Sequence, residues 1–216
     1  RCILPFISPQ EYPSATKERR AVLRRSIGIP PEATVFINHS NMRPVKRVDF
    51  CVDLVNAIAK SVPSCKTFLI LLGPAFPLTA NPDTATVIQI PTTSPVPDFL
   101  AMSDFSVNAS LHDSFNTALL EAMSCGAIPV TSDRPAIASF IREAQAGVVF
   151  TTTKQHDCLQ EEISDHYPIS QSEIKKLLGI FQTIDEQSLK EYRRKGQDLV
   201  SRTFSEQAGA TALASL

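Results

Sequence analysis

Two carboxylates, Asp113 and Glu121, stand eight positions apart in the stretch DSFNTALLEAMSCGAIPV that runs from Asp113 to Val130. Ionised carboxylates accept pairs of hydrogen bonds from hydroxyl groups, and two of them in one cleft can also divide the work of a general acid and a general base. The residue types leave both chemistries open: an acid/base couple, or two acceptors for the hydroxyls of a sugar and a ribose. Leu119, Leu120, Ala122 and Met123 surround Glu121 with apolar neighbours. A solvated position is therefore disfavoured, and a buried acid there requires a partner.

Upstream, the stretch NHSNMRPVKR carries Arg43 and Lys46 three residues apart. On the first turn of a helix they reach one side, where two cations suit a diphosphate and each charge-assisted bond contributes about 1.5–3 kcal/mol. The plain alternative is a pair of surface charges near Asp49. Gly73 closes a strand pattern, and its missing side chain admits a ligand or a helix terminus. His39 adjoins the basic stretch and His112 adjoins Asp113; either could touch a ligand, with a structural or solvent-facing role the stronger reading for each. No G-x-G-x-x-G follows a strand pattern, and neither a G-x-x-x-x-G-K-[ST] loop nor a G-x-S-x-G elbow occurs. Dinucleotide oxidoreductases, P-loop phosphate binding and serine hydrolysis lose support accordingly.

The elements that must position these residues follow from periodicity. Short β-branched or aromatic runs at 34–38, 66–72, 86–90, 105–109, 128–131 and 148–150 alternate with helical patterns. Continuous apolar runs such as FLILL at 68–72 predict strands buried on both faces. The fold class is thus α/β, a Rossmann-like and mostly parallel sheet with helices on both faces. Val48, Cys51, Val52, Val55, Ile58 and Ala59 recur at helical spacing, with Pro44 suited to the first turn. A second helix is expected from about residue 115, with Ser114 or Asn116 as N-cap. Asp113 then sits at the electropositive end of that helix, a place that also favours an anionic ligand. The basic run Lys17, Arg19, Arg20, Arg24 and Arg25 is expected on a solvated helix face. The loop from 73 to 83 holds three prolines, and after Phe150 only helices are expected, at 157–164, 170–184 and 188–202. One domain is expected over residues 1–216, with its helical segment from about 155.

Taken in order, the loop with Arg43 and Lys46, then LLG at 71–73, then DSFNTALLEAMSCGAIPV resemble the C-terminal, donor-binding domain of group 1 (family 4) glycosyltransferases of GT-B fold. RRSIGIP near Arg24, AGVVF at 146–150 and RTFSEQAGATAL near Arg202 extend the resemblance over nearly the whole chain. It implies transfer of a sugar from a nucleotide-diphosphate sugar, with retention of anomeric configuration and with no cofactor or bound metal. It also implies that Arg43 and Lys46 hold the diphosphate and stabilise charge on the departing nucleotide. Glu121 would bind ribose hydroxyls and Asp113 would face the transferred sugar. Gly73, Phe115 and the backbone N–H groups of Ser114 to Asn116 would complete the donor site, with base recognition by backbone groups around 88–92. The sequence departs from the family where Asp113 replaces a usual Glu, Asn116 replaces a common Gly, Pro74 follows Gly73, and SDRPAIAS at 132–139 replaces a Gly-rich turn. The acceptor, whether sugar, lipid or protein, would bind mainly on an N-terminal domain for which this chain has no room. A non-catalytic nucleotide-binding or interaction module derived from the same fold is the alternative.

Bulk properties agree with this class. The 216 residues are 43% hydrophobic, and a net charge of −1 gives no general attraction to nucleic acid. Five cysteines without paired spacing fit a reducing, cytoplasmic compartment, with a peripheral membrane location open to the full-length protein. No run is apolar enough to span a bilayer, and no signal-peptide pattern opens the chain. A first residue other than Met is expected of a processed or partial chain.

Overall fold

The computed structural model describes residues 4–78, 84–91, 95–152 and 169–214. Each of the six expected runs forms a strand: β1 (Thr34–His39), β2 (Thr67–Leu72), β3 (Thr86–Ile90), β4 (Phe105–Asn108), β5 (Ile128–Ser132) and β6 (Val148–Phe150). They make one sheet in the order β3-β2-β1-β4-β5-β6, and every neighbouring pair is parallel. The helices are α1 (Lys17–Ser26), α2 (Val48–Ser61), α3 (Val96–Met102), α4 (Thr117–Ser124), α5 (Ile137–Ala144), α6 (Gln171–Thr183), α7 (Glu186–Leu199) and α8 (Glu206–Ala214). A one-turn 3-10 helix (Pro44–Lys46) precedes α2, and a π-helical turn (Val200–Phe204) joins α7 to α8.

Strand alternation assigns the two faces. Phe36, Leu69, Leu71, Phe105 and Val107 meet α2 and the α6 residues Ile174 and Leu177 on one side. Val35, Ile37, Phe68, Ile70 and Leu72 meet Phe99 to Met102 of α3, Ala122 of α4 and Cys125 just after it on the other. Both faces of β1 and β2 are therefore apolar, which is why these strands read as continuous hydrophobic runs rather than alternating ones. A third cluster joins Leu119, Leu120 and Met123 of α4 to Ile137 and Ile141 of α5 and to Val200 and Phe204. The N-terminal segment runs along that cluster, its Ile7 bridging to Ser205.

Four expectations need correction. Arg24 is not on a solvated face: it is 4% exposed, and its guanidinium donates to the carbonyls of Met102, Pro31 and Ala33 and to Asp104. Arg20 joins the same carboxylate at 3.0 Å, so two of the five basic residues anchor α1 to the Asp104 loop instead of facing water. Pro44 begins the separate 3-10 turn rather than α2, because Arg47 between them takes the left-handed conformation (φ 50°). Helix α4 starts at Thr117, and Asn116 before it makes no side-chain cap; a left-handed residue at φ 73° cannot present the extended N-cap geometry. Helix α7 begins two residues earlier than Ser188, since Asp185 accepts the Ser188 N–H at 2.7 Å and caps it. The expected helix at 157–164 and the end of the loop at 79–83 lie outside the described residues.

Candidate functional site

The strand order reverses direction between β1 and β4, and in open α/β sheets ligands bind outside the carboxyl ends of the strands at that switch point. The loops after these two strands carry Arg43 and Lys46 on one side and Asp113 to Asn116 on the other. They are tied together where the Leu111 N–H donates to the Val45 carbonyl at 3.0 Å. Of the four non-glycine residues with positive φ among the described residues, Met42, Arg47 and Asn116 lie on these loops. Such conformations cost free energy and persist only where surrounding contacts hold them. At Arg47 the contacts are plain: its guanidinium pairs with Glu173 at 2.8 Å, both side chains buried, and stands 4.3 Å over the Phe50 ring. At Asn116 the positive φ accounts for the residue type, since Asn and Gly tolerate that region best.

Between the loops lies a cleft of about 660 Å³. Lys46 enters it and meets Asp113, Nζ to Oδ2, at 2.5 Å, with 10% and 13% of the two side chains exposed. The other oxygen, Oδ1, accepts the Phe115 N–H at 3.2 Å. Both carboxylate oxygens are thus held, and Asp113 replaces the expected N-cap by fixing the turn that leads into α4. Ser114, Phe115, Asn116, Thr117 and Ala118 form the same wall. The backbone N–H groups at the start of α4 face this side, where the helix dipole favours negative charge.

Arg43 and Gly73 are placed differently from the cleft residues. Arg43 is extended and exposed, outside the lining of the cleft. The rule that brings residues three apart to one face holds within a helical turn, and Arg43 precedes the turn. Gly73 also lies outside the lining. A Cβ there would collide with the Ser40 carbonyl and the tip of Met42, so its missing side chain accommodates the returning β1 loop. Its N–H donates to the Ile90 carbonyl at 3.0 Å.

Glu121 sits one turn into α4, 16% exposed, with Oε2 3.3 Å from Nδ1 of His39. The partly buried acid lies against a histidine that belongs to the cleft lining, while Glu121 itself is outside that lining. Tyr12 approaches the same carboxylate from the N-terminal segment. Its phenol is raised to about 12, first by burial and then by the charge of Glu121 and a hydrogen bond to it. Ser124 of α4 fixes that segment by donating to the Tyr12 carbonyl at 2.8 Å. Sequence reasoning had His39 as a ligand contact of second rank without its pairing to Glu121, and it missed Tyr12 and Arg47. Tyr12 comes from a segment distant in the chain, and Arg47 looked like one more basic residue beside Lys46. Among the described residues no group of three His, Cys, Asp or Glu side chains is arranged to hold a metal. A second cleft, about 460 Å³, opens between α5 and α7 around Gly147 at the amino end of β6, away from the switch point.

Residues 33–167 match the family of group 1 glycosyl transferases. The N-acetyl-alpha-D-glucosaminyl L-malate synthase of Bacillus anthracis is 32% identical over 134 residues, covering 56% of this chain and 32% of that protein. Among solved structures, WaaG, a glycosyltransferase involved in lipopolysaccharide biosynthesis, has a TM-score of 0.75 at 17% identity over 98% of this chain and 55% of its own. Anabaena HepE, crystallised with UDP-glucose, has a TM-score of 0.73 at 17% identity over 100% and 57%. Sucrose-phosphate synthase from Thermosynechococcus elongatus has 0.72 at 15% identity over 100% and 51%. At such identities these likenesses speak for the fold, and the neighbours are GT-B glycosyltransferases. The chain spans little more than half the length of these structures and aligns with a third of the curated relative. With a parallel six-stranded Rossmann-like sheet, a cleft at its switch point and a family match over more than half of its residues, the chain belongs to the group 1 glycosyltransferases.

Proposed function

We propose that this chain is the donor-binding domain of a retaining glycosyltransferase that moves a sugar from a nucleotide-diphosphate sugar to an acceptor bound mainly by a further domain. The observation that carries the reading is the Lys46–Asp113 pair held inside the switch-point cleft. A fixed cation at that position, beside the N-terminus of α4, meets the charge that develops on a nucleotide diphosphate as it departs. Preorganised charge of this kind is commonly the largest single catalytic contribution. Lys46 stabilises the leaving diphosphate, and Arg43 swings in from the rim to share it. Asp113 faces the transferred sugar, and Glu121 accepts from ribose hydroxyls. Ser114, Phe115 and Asn116 line the sugar and phosphate position, with Gly73 supporting the β1 loop from behind. Asp113, one methylene shorter than the usual Glu, sets which sugar is taken.

The donor itself is the substrate, and the reaction needs no resident cofactor or metal in this reading. Because HepE was crystallised with UDP-glucose, UDP sugars are the first donors to test, with GDP and ADP sugars beside them. Free thiols at Cys51, Cys65 and Cys125 support a reducing, cytoplasmic site of action. Among the described residues no helix is long and apolar enough to cross a membrane; attachment would be peripheral.

The test is transfer and binding in the full-length protein. Calorimetric titration of the three nucleoside diphosphates and their sugars is expected to give binding by one base class. Transfer is expected to vanish in Lys46→Ala and Glu121→Ala. A folded protein that binds none of them at millimolar concentration would sink the donor site. Binding without transfer to any acceptor would favour the non-catalytic module, for which the departures at Asp113 and Asn116 are the motivation.

A further inference from the structure

We infer that His39 is a donor-binding residue of this cleft, presenting its Nε2 to the nucleotide, with Glu121 as the group that orients it. The inference rests on the donor-site reading above and adds a side chain to it. His39 is the last residue of β1, at the carboxyl edge next to the switch point. Its Nδ1 is buried and lies 3.3 Å from Glu121 Oε2, and neither atom completes a hydrogen bond among the described residues. Two unsatisfied buried atoms at this distance favour a proton on Nδ1, since a lone pair facing a carboxylate oxygen would leave both without any partner, whereas a small turn of the ring completes the bond. With that proton on Nδ1, the neutral ring presents a lone pair at Nε2 and accepts there, while a charged ring donates there.

That second nitrogen is the open one. His39 retains 20% exposure, lines the cleft beside Ser40 and Lys46, and has no recorded partner for Nε2. The arrangement is the familiar one in which a carboxylate fixes one ring nitrogen so that the other meets a ligand at a set angle. Here the ligand is a nucleoside diphosphate, and the contact is to a ribose hydroxyl or a phosphate oxygen. Tyr12 bounds the pair from the N-terminal segment, so the carboxylate is framed on three sides by α4, β1 and that segment. Cys125, one turn on from Glu121 and itself buried, is the remaining titratable neighbour.

Two conservative substitutions separate a ligand contact from a structural one, because each keeps one of the two nitrogens. Gln places its amide end, which can accept or donate, near the position of Nε2, and Asn places its own near Nδ1. UDP, GDP and ADP are titrated into the full-length wild type, His39→Gln, His39→Asn and His39→Ala, each checked for an unchanged far-UV spectrum and melting transition. The expected result is that His39→Ala and His39→Asn weaken binding of the preferred nucleotide by about tenfold, the worth of one hydrogen bond. His39→Gln should stay within about threefold of wild type on the same scale. In transfer assays the loss appears in KM for the donor, with kcat little changed, since a contact made equally before and during the reaction is uniform binding. Binding by His39→Asn as tight as wild type, or tighter than by His39→Gln, overturns the inference and makes the histidine a structural partner of Glu121. If wild type binds no nucleotide the underlying donor-site reading fails instead, so the two failures are distinct. Should His39→Ala unfold, the Gln and Asn pair still decides.

Discussion

Replacing Glu173 by Ala is the perturbation that tests most directly how Lys46 is presented. Glu173 belongs to the first turn of α6, and its carboxylate meets the Arg47 guanidinium at 2.8 Å with only 3% and 4% of the two side chains exposed. Removing one partner of such a pair leaves a buried charge uncompensated, which costs about 3–5 kcal/mol. The Phe50 ring 4.3 Å beneath the guanidinium is there with or without Glu173, so it does not offset the loss. The expectation stays at about 3–5 kcal/mol. For a chain of this size that corresponds to a fall in Tm of about 6–20 °C. Urea unfolding followed by circular dichroism, with a parallel thermal melt, measures it. The double variant R47M/E173L removes both charges and fills the space, so it should recover most of the lost stability. Loss of less than about 1 kcal/mol in E173A, or a double variant less stable than E173A, would refute the buried-pair argument. In that case the left-handed Arg47 would need another explanation.

Three further outcomes follow from named contacts. Asp113→Asn removes the negative charge facing Lys46, so nucleoside diphosphate affinity should rise about threefold to tenfold while transfer falls at least tenfold; titration and kinetics on one preparation would expose a fall in both. Gly73→Ala drives a methyl into the Ser40 carbonyl and should cost about 1–3 kcal/mol in chemical denaturation; an unchanged midpoint would show that the β1 loop yields freely. Burial first of all pushes the thiols of Cys51 and Cys125 from 9.0 to about 12, and burial followed by Glu121 raises Tyr12 from 10.0 to about 12. The unfolded chain gives up these protons first, so stability complete below about pH 9 should decline as pH climbs toward 12, and the urea midpoint should be lower at about pH 10.5 than at about pH 8. A midpoint that holds steady across that interval contradicts the burial of these groups.

The strands were legible because a run such as Phe68 to Leu72 has one physical explanation, burial on both faces of a parallel sheet. Glu121 was legible as a buried acid because four apolar neighbours on α4 left it no solvated face. Its partner was not legible, since His39 reaches it through the β1–β4 adjacency that only the sheet order creates. Arg24 misled for a related reason: on a helical wheel it is one more cation, and its burial depends on carbonyls at Pro31, Ala33 and Met102 that the fold gathers around it. Arg43 and Lys46 do not share one face of a helical turn, because helical spacing does not carry across an element boundary. A left-handed Arg47 closes the 3-10 turn after Lys46, and Arg43 lies before the turn begins.

Two pairs span the switch point, and the hydrogen-bonding capacity each leaves free separates their tasks. Lys46 meets Asp113 in the first and His39 meets Glu121 in the second, each with its proton-bearing member from the β1 side and its acid from the α4 side. In the first pair the ammonium keeps donors free, since an ammonium has three and Asp113 is recorded on one. An arriving diphosphate can therefore join Lys46 without first breaking the pair, and Asp113, pinned by the Phe115 N–H, stays where a sugar would lie. In the second pair the facing atoms are sealed from solvent, so no ligand competes for them, and their interaction acts only through the ring edge and carboxylate oxygen that remain. The eight-residue interval between Asp113 and Glu121 produces this division. It sets one acid in the loop before α4, beside the Phe115 N–H that pins it, and the other one turn inside the helix, where β1 and the N-terminal segment supply its protein neighbours.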